Sequence, residues 1–340
     1  MCPSSRSRRR HAAGSASLLL AILSAVTCKK KGGEMVVVPP PEGGHVFVGY
    51  GTDDRTTPEE TEWAMEARTV AAVVPSGFLI DKGGEYVLRD QLRLAEEVGG
   101  RFHYPPCSEP PFRFADRYVL PWVPRSCSAI AVSPSVVLTA RHCILDPATK
   151  QPDLGPKEDP LAFVFGFSVD GPLRTREVHR AVAVREIGKR SDRDDDWAFV
   201  EVSPPIAASH LMPLSPATIE SSTKAAAIGH PNHLGLLVSS GSVGPHPLNG
   251  PNPNLNPHPR TLLGDLDVAD GSSGGPVFAS GDHRFLGIVY AGDGDNPPLE
   301  PPVGACVREL WCEQGLACPG MRVVAAERFL VAFQALVVPP

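Results

Sequence analysis

The run Gly271-Ser-Ser-Gly-Gly-Pro276 limits the folds open to this chain more than any other stretch. Glycines on both sides of the serines oppose a helix, where each costs about 1 kcal/mol relative to alanine. The segment that follows, Pro276-Val-Phe-Ala279, is apolar and β-type. A sharp turn into a strand presents the hydroxyl of Ser273 and lets the amides of Gly271 and Ser273 point into one space. Acyl transfer needs such a pairing, a nucleophile beside two donors that stabilise the oxyanion formed on attack. Taken alone, the run reads better as a solvated Gly-Ser turn.

Two further stretches answer it. Val136-Val-Leu-Thr-Ala-Arg-His-Cys143 reads as a buried strand running into a His-Cys corner, and Cys127 opens the preceding apolar run, Cys127-Ser-Ala-Ile-Ala-Val132. In Asp194-Asp-Asp-Trp-Ala-Phe-Val-Glu-Val202 an acidic cluster opens an alternating strand with Asp196 at its mouth. In chain order, His142, Asp196 and Ser273 supply a base, an orienting carboxylate and a nucleophile. Asp194 and Asp195 read as solvated charges.

Through Leu138-Thr-Ala-Arg-His-Cys143, Asp196-Trp-Ala-Phe-Val200 and the Gly271–Pro276 turn, the chain resembles the chymotrypsin-like serine peptidases. Within them it is similar to the bacterial trypsin-like peptidases related to glutamyl endopeptidases, through Tyr50-Gly-Thr-Asp-Asp-Arg55, Ile228-Gly-His-Pro231 and Leu266-Asp267. The likeness runs from about Tyr50 to about Phe329. It implies an all-β fold of two packed six-stranded antiparallel β-barrels with the catalytic groups between them. It also implies a triad of His142, Asp196 and Ser273, an oxyanion hole from Gly271 and Ser273, and a Cys127–Cys143 disulfide stapling the hairpin that carries His142.

The same resemblance draws a substrate pocket from Asp267, Val268, Val289, Tyr290, Ala291 and Gly292, the last three forming a wall that pairs with substrate backbone. Asp267 stands where trypsin-like enzymes bind arginine or lysine, although the bacterial branch also gives an Asp-x-Asp pattern like Asp265-Leu-Asp267 a structural role. Val289 stands where glutamyl endopeptidases carry a histidine, and Val268 offers no hydroxyl. A preference for basic side chains is therefore the expectation. Ser272 occupies the position at which trypsin-type zymogens carry an aspartate for a newly cut amine, so activation is expected to proceed without that ion pair.

Composition agrees with a sheet protein. The 340 residues include 37 prolines and 32 glycines, which favour short strands joined by turns. A net charge of -6 carries no basic surplus and argues against a nucleic-acid partner. Two short helices are expected near the start of the domain, from Thr57 to about Arg68 behind a capping threonine, and from Leu88 to Val98 before Gly99 and Gly100. Val70–Val74 is expected as a strand at the first barrel's edge, and Ala325 to Phe333 as a terminal helix. The stretch from Pro245 to Pro259 is expected as a solvated loop, its prolines being unable to donate to a ladder.

The N-terminus reads as a targeting segment. Arg6, Arg8, Arg9 and Arg10 precede the apolar Leu18-Leu-Leu-Ala-Ile-Leu23, which is too short to span a membrane. The expected organisation is a signal peptide over 1–27, a tether over 28–44 and a peptidase domain over 45–335, its barrels at about 45–205 and 206–335. Ala25-Val-Thr-Cys28 resembles a lipoprotein cleavage box, making Cys28 the candidate for lipid attachment and membrane anchoring; an ordinary cleavage nearby is the alternative. The protein is thus expected as an exported monomer, either a cell-envelope lipoprotein or a secreted or periplasmic protein, acting on polypeptide.

Cys107, Cys127, Cys143, Cys306, Cys312 and Cys318 form an even set suited to disulfides. With Cys127 and Cys143 paired by resemblance, the connectivity of the other four stays open. No cofactor is expected. No histidine lies near Cys306–Cys318 to complete a zinc site, and His230 and His233 lack a strand or helix that would converge them with the histidines of the proline-rich loop. The rival from another class is a catalytically silent homologue that binds peptides or surfaces.

Overall fold

The computed structural model describes residues 27–29, 35–37, 43–50, 54–89, 91–93, 96, 114, 116–117, 119–120, 125–146, 148–189, 195–219, 221–245, 261–291, 306–312 and 321–337. Contacts divide the chain into two units, Met1–Pro41 and Glu42–Pro340. In the first, Thr27–Lys29 pairs antiparallel with Met35–Val37, which sets Cys28 opposite Val36. The site lies wholly in the second.

Two closed six-stranded barrels organise that second unit. The first is built from β1 (Val70–Pro75), β2 (Cys127–Ser133), β3 (Val136–Thr139), β4 (Leu161–Val164), β5 (Val178–Ile187) and β6 (Ala198–Ser203). The second comprises β7 (Thr223–Gly229), β8 (Leu237–Pro245), β9 (Thr261–Gly264), β10 (Pro276–Ala279), β11 (Phe285–Ala291) and β12 (Met321–Ala325). Around the first the order is β1-β2-β3-β6-β5-β4, and around the second β7-β8-β9-β12-β11-β10. The permutation is the same in both, and every barrel pairing is antiparallel.

The near-continuous apolar runs of these strands follow from burial on both faces. In β1, Ala72 and Val74 pack with Leu120, Val164 and Phe167, while the alternating Ala71 and Val73 join the large central core. In β10, Val277 and Ala279 pack among other second-barrel residues, whereas Phe278 turns to the central core. That core joins the barrels through aromatic contacts. Phe285 of β11 lies 6.1 Å from Phe329, which lies 6.1 Å from Phe199 of β6.

Several expectations are revised. Thr57 to Arg68 is not one helix but a 3-10 turn, Pro58–Glu60, followed by the short α1, Ala64–Ala67. Thr57 makes no side-chain cap, and Thr61 instead donates to the Pro58 carbonyl and accepts from the Trp63 amide. Between the two pieces Trp63 is buried against Phe278 and stacks 4.3 Å from His283, so tertiary packing overrides the local helix signal. Leu88 closes a strand, Tyr86–Leu88, Gln91–Arg93 are not helical, and positions 90, 94, 95, 97 and 98 of the expected helix lie outside the described residues. Val70–Pro75 is a wall strand of the first barrel, hydrogen-bonded on both sides, rather than its edge.

Gly43–Tyr50 pairs in parallel with Cys306–Cys312 outside both barrels. The chain then reaches the second barrel, where Thr56 exchanges two 2.9 Å hydrogen bonds with Val238. Of the proline-rich loop only Pro245, the last residue of β8, is described. At the C-terminus the 3-10 turn Ala326–Arg328 leads into α2 (Leu330–Val337), which buries Ala332 and Phe333 and exposes Val331.

Candidate active site

His142 enters the site on a 3-10 turn, Arg141–Ile144, directly after β3. The turn is stapled to the start of β2 by a Cys127–Cys143 disulfide with a Cα–Cα separation of 6.2 Å. Asp196 stands two residues before β6, which pairs with β3. One carboxylate oxygen accepts the His142 backbone amide at 2.8 Å, and the other lies 2.6 Å from His142 Nδ1. An ionised carboxylate only accepts, so the proton sits on Nδ1 and Nε2 keeps its lone pair. His142 is 45% exposed against 18% for Asp196, which places the ring at the protein surface over a more sheltered acid.

The neighbouring acid is not solvated as its position in the cluster implied. Asp195 Oδ1 lies 2.7 Å from Arg328 Nη2, and both side chains are nearly buried, at 13% and 11% exposure. Asp194 lies outside the described residues.

Ser273 sits on the second barrel's side, in the turn before β10. Gly271 and Gly274 hold positive φ values of 92° and 85°. A β-carbon on Gly274 would stand 2.1 Å from the Ser128 carbonyl oxygen, so only glycine fits there. The turn is closed by Ser272 N–H donating to the Ala269 carbonyl at 2.9 Å and by Gly275 N–H donating to the Ser272 carbonyl at 2.8 Å. The Ser272 hydroxyl accepts from the Ala269 amide at 3.3 Å.

Ser128, on β2 beside the disulfide, ties this turn to the first barrel. Its amide donates to the Ser273 carbonyl at 2.8 Å and its hydroxyl to the Gly271 carbonyl at 2.7 Å. The same hydroxyl oxygen accepts the His230 amide at 3.0 Å. Ser273, Cys143 and the His142 turn are thereby gathered in one place, with Cys143 Sγ 3.9 Å from the Ser273 carbonyl. Nothing in the sequence around Ser128 marks it for this role; only the topology reveals it.

His230 precedes and His233 ends a 3-10 turn, Pro231–His233, packed behind the glycine turn. His230 is wholly buried, which pushes its pKa down to about 4 and leaves it neutral near pH 7. Its Nδ1–H donates to the Leu234 carbonyl at 3.0 Å. Among the described residues, the grouping of potential metal ligands is Cys127, His142 and Cys143, and two of these sulfurs are bonded to each other.

A small pocket lies beside the turn, with Arg55, Gly229, Asp267, Val268, Ser272 and Val289 among its lining residues. Asp267 is buried, accepts the Asp54 amide at 3.3 Å and donates its own amide to Ser239 Oγ at 2.6 Å. One oxygen of its carboxylate thus meets the Asp54 amide. Tyr290 is buried on β11, Ala291 ends that strand, and Gly292 lies outside the described residues.

A double barrel with one strand order, a His-Asp pair on the first barrel and a Gly-Ser-Ser-Gly-Gly turn on the second, defines the chymotrypsin-like peptidase architecture. Residues 127–288 match the family model described as a trypsin-like peptidase domain. Similar solved structures include a Glu endopeptidase in complex with MPD, with a TM-score of 0.44 and 13% identity over 73% of this chain and 90% of that one. They also include an inactive form of Rv3671c from M. tuberculosis H37Rv, with a TM-score of 0.43 and 13% identity over 87% and 100% of the two chains. No curated protein matches the sequence.

Proposed function

We propose that the protein is a serine endopeptidase that cleaves polypeptides through an acyl-enzyme. The observation that carries the reading is the two-point grip of Asp196 on His142, one oxygen on the backbone amide and the other on Nδ1. This grip fixes the tautomer that leaves Nε2 as a base. Nε2 takes the Ser273 proton as the hydroxyl oxygen attacks the scissile carbonyl carbon. The amides of Gly271 and Ser273 receive the oxyanion, and His142 returns the proton to the leaving amine. Water then repeats the sequence on the ester, releasing the acid product and restoring Ser273.

The preference for basic side chains is part of the same proposal, with Asp267 lining the pocket and bonded to the Asp54 amide. A peptide library would read the side chain preferred. Export through residues 1–27 belongs to the same proposal, and mass analysis of the mature N-terminal peptide tests whether Cys28 carries lipid.

The deciding experiment is labelling of the purified protein with a fluorophosphonate probe beside Ser273→Ala. An adduct confined to Ser273, with turnover lowered on the order of 10⁴-fold in the alanine variant, is the expected result. A folded protein that takes up no probe and cleaves no peptide would favour the silent binding homologue.

A further inference from the structure

We propose that Arg328 is a positioning residue for the catalytic acid, a role that rests on the peptidase reading of His142, Asp196 and Ser273. Asp196 has no regular secondary structure of its own; it stands between Asp195 and Trp197 on the approach to β6. Three contacts hold that approach. Gly188 N–H donates to the Trp197 carbonyl at 2.8 Å, and a side chain on Gly188 would collide with the Asp195 carbonyl. The Trp197 ring packs 5.9 Å from Phe329. Between these, Asp195 Oδ1 meets Arg328 Nη2 at 2.7 Å.

Arg328 and Phe329 are consecutive, so the turn before α2 grips both residues that bracket Asp196. The ion pair is nearly buried, which makes it directional and costly to leave half-made. It also serves an electrostatic end. Two adjacent carboxylates repel, and pairing Asp195 with a guanidinium leaves the Asp196 charge free to act on His142 alone. The C-terminal segment thereby sets the acid of the first barrel, a link of more than 130 positions in sequence.

The test compares Arg328→Met, Arg328→Lys and Asp195→Asn with the parent. Two readouts are needed: kcat against KM on a peptide substrate, and the low-field proton resonance of His142 Nδ1. Arg328→Met and Asp195→Asn are expected to lower kcat about 10- to 100-fold, as a displaced catalytic group does, with KM within about twofold. Both should shift or broaden the resonance, and the double variant should lose no more than the worse single one. Arg328→Lys should restore most of kcat.

Parental kcat and an unmoved resonance in folded Arg328→Met or Asp195→Asn would overturn the proposal, as would a loss confined to KM. Should Arg328→Met fail to fold, Asp195→Asn, which preserves shape, decides alone. The resonance is read without turnover, so it tests the positioning even if the protein proves to have no peptidase activity.

Discussion

The two sides of the site are held by different physics. On the first barrel the His142 turn is fastened by a buried covalent bond at Cys143 and by charged groups, carboxylates that grip it and its flanks. On the second barrel the Ser273 turn is fastened from within, by glycines at positive φ and by neutral buried groups, Ser128, Ser272 and His230. The first arrangement should be vulnerable to loss of its sulfur bridge and, in strong acid, to protonation of its carboxylates. The second should tolerate reduction but neither an added methyl group nor a buried proton.

The largest effect expected from this contrast is at Gly274. Alanine there would drive its β-carbon to within 2.1 Å of the Ser128 carbonyl oxygen, a backbone atom that cannot swing aside, at a φ of 85°. Gly281, in the hairpin between β10 and β11, has a similar φ of 93° but nothing within 4 Å. Gly281→Ala is expected to cost only the left-handed strain, about 1–2 kcal/mol, and Gly274→Ala more than about 4 kcal/mol or the fold itself. Urea denaturation of both variants makes the measurement. Equal costs would show that packing behind the turn is looser than the contact distances imply.

Next come two probes of roughly equal size that separate the barrels. The Cys127–Cys143 bridge closes a loop of sixteen positions, so its replacement by alanines should cost about 3 kcal/mol by the loop-entropy estimate. The bridge itself does not titrate, so the chain-entropy part of the loss should be nearly independent of pH between about 4 and 7. His230 predicts the opposite dependence. Burial lowers its pKa to about 4, below the 6.5 of the unfolded chain, so its stabilising contribution is complete above pH 6.5. As pH falls from 6.5 to about 4 the unfolded state takes up a proton that the folded state refuses, and about 3 kcal/mol is lost. His230→Asn, whose amide can donate to the Leu234 carbonyl, should flatten this slope in denaturation curves recorded across the range. An unchanged slope would assign the acid sensitivity to other groups.

The contrast also explains what the sequence made legible. His142, Asp196 and Ser273 stand on short motifs whose chemistry and local turns are written in neighbouring residues, and strands buried on both faces announce themselves as apolar runs. The groups that hold these motifs in register are different. Ser128 follows a cysteine on an ordinary strand, and its bonds to Gly271 and Ser273 exist only because β2 passes the second barrel's turn. Arg328 sits in Ala326-Glu-Arg328 with no local sign that its partner is Asp195. The helix expected from Thr57 failed for the same reason, since the burial of Trp63 against Phe278 is a long-range contact that local propensity does not contain.

The smallest expected effect sharpens the first barrel's side. Arg125, just before Cys127, reaches under the His142 turn to Asp153 at 2.6 Å and to Asp146 at 3.8 Å. The Arg125 hydrogen bond, then the Gly155 amide, holds the Asp153 carboxyl below the ordinary carboxylate range. A folded-state value below the unfolded one means that the pair stabilises above about pH 4 and that the contribution fades as pH falls through the folded value. Asp153 is 39% exposed, so solvent screens the pair and the contribution should stay below about 1 kcal/mol. Asp153→Asn should therefore lower the urea midpoint slightly at pH 7, and the difference from the parent should vanish in strong acid. A larger effect that persisted in acid would mean that Asp153 acts through the shape of its Gly155 turn rather than its charge. The fastening of the His142 turn would then be geometric as well as electrostatic.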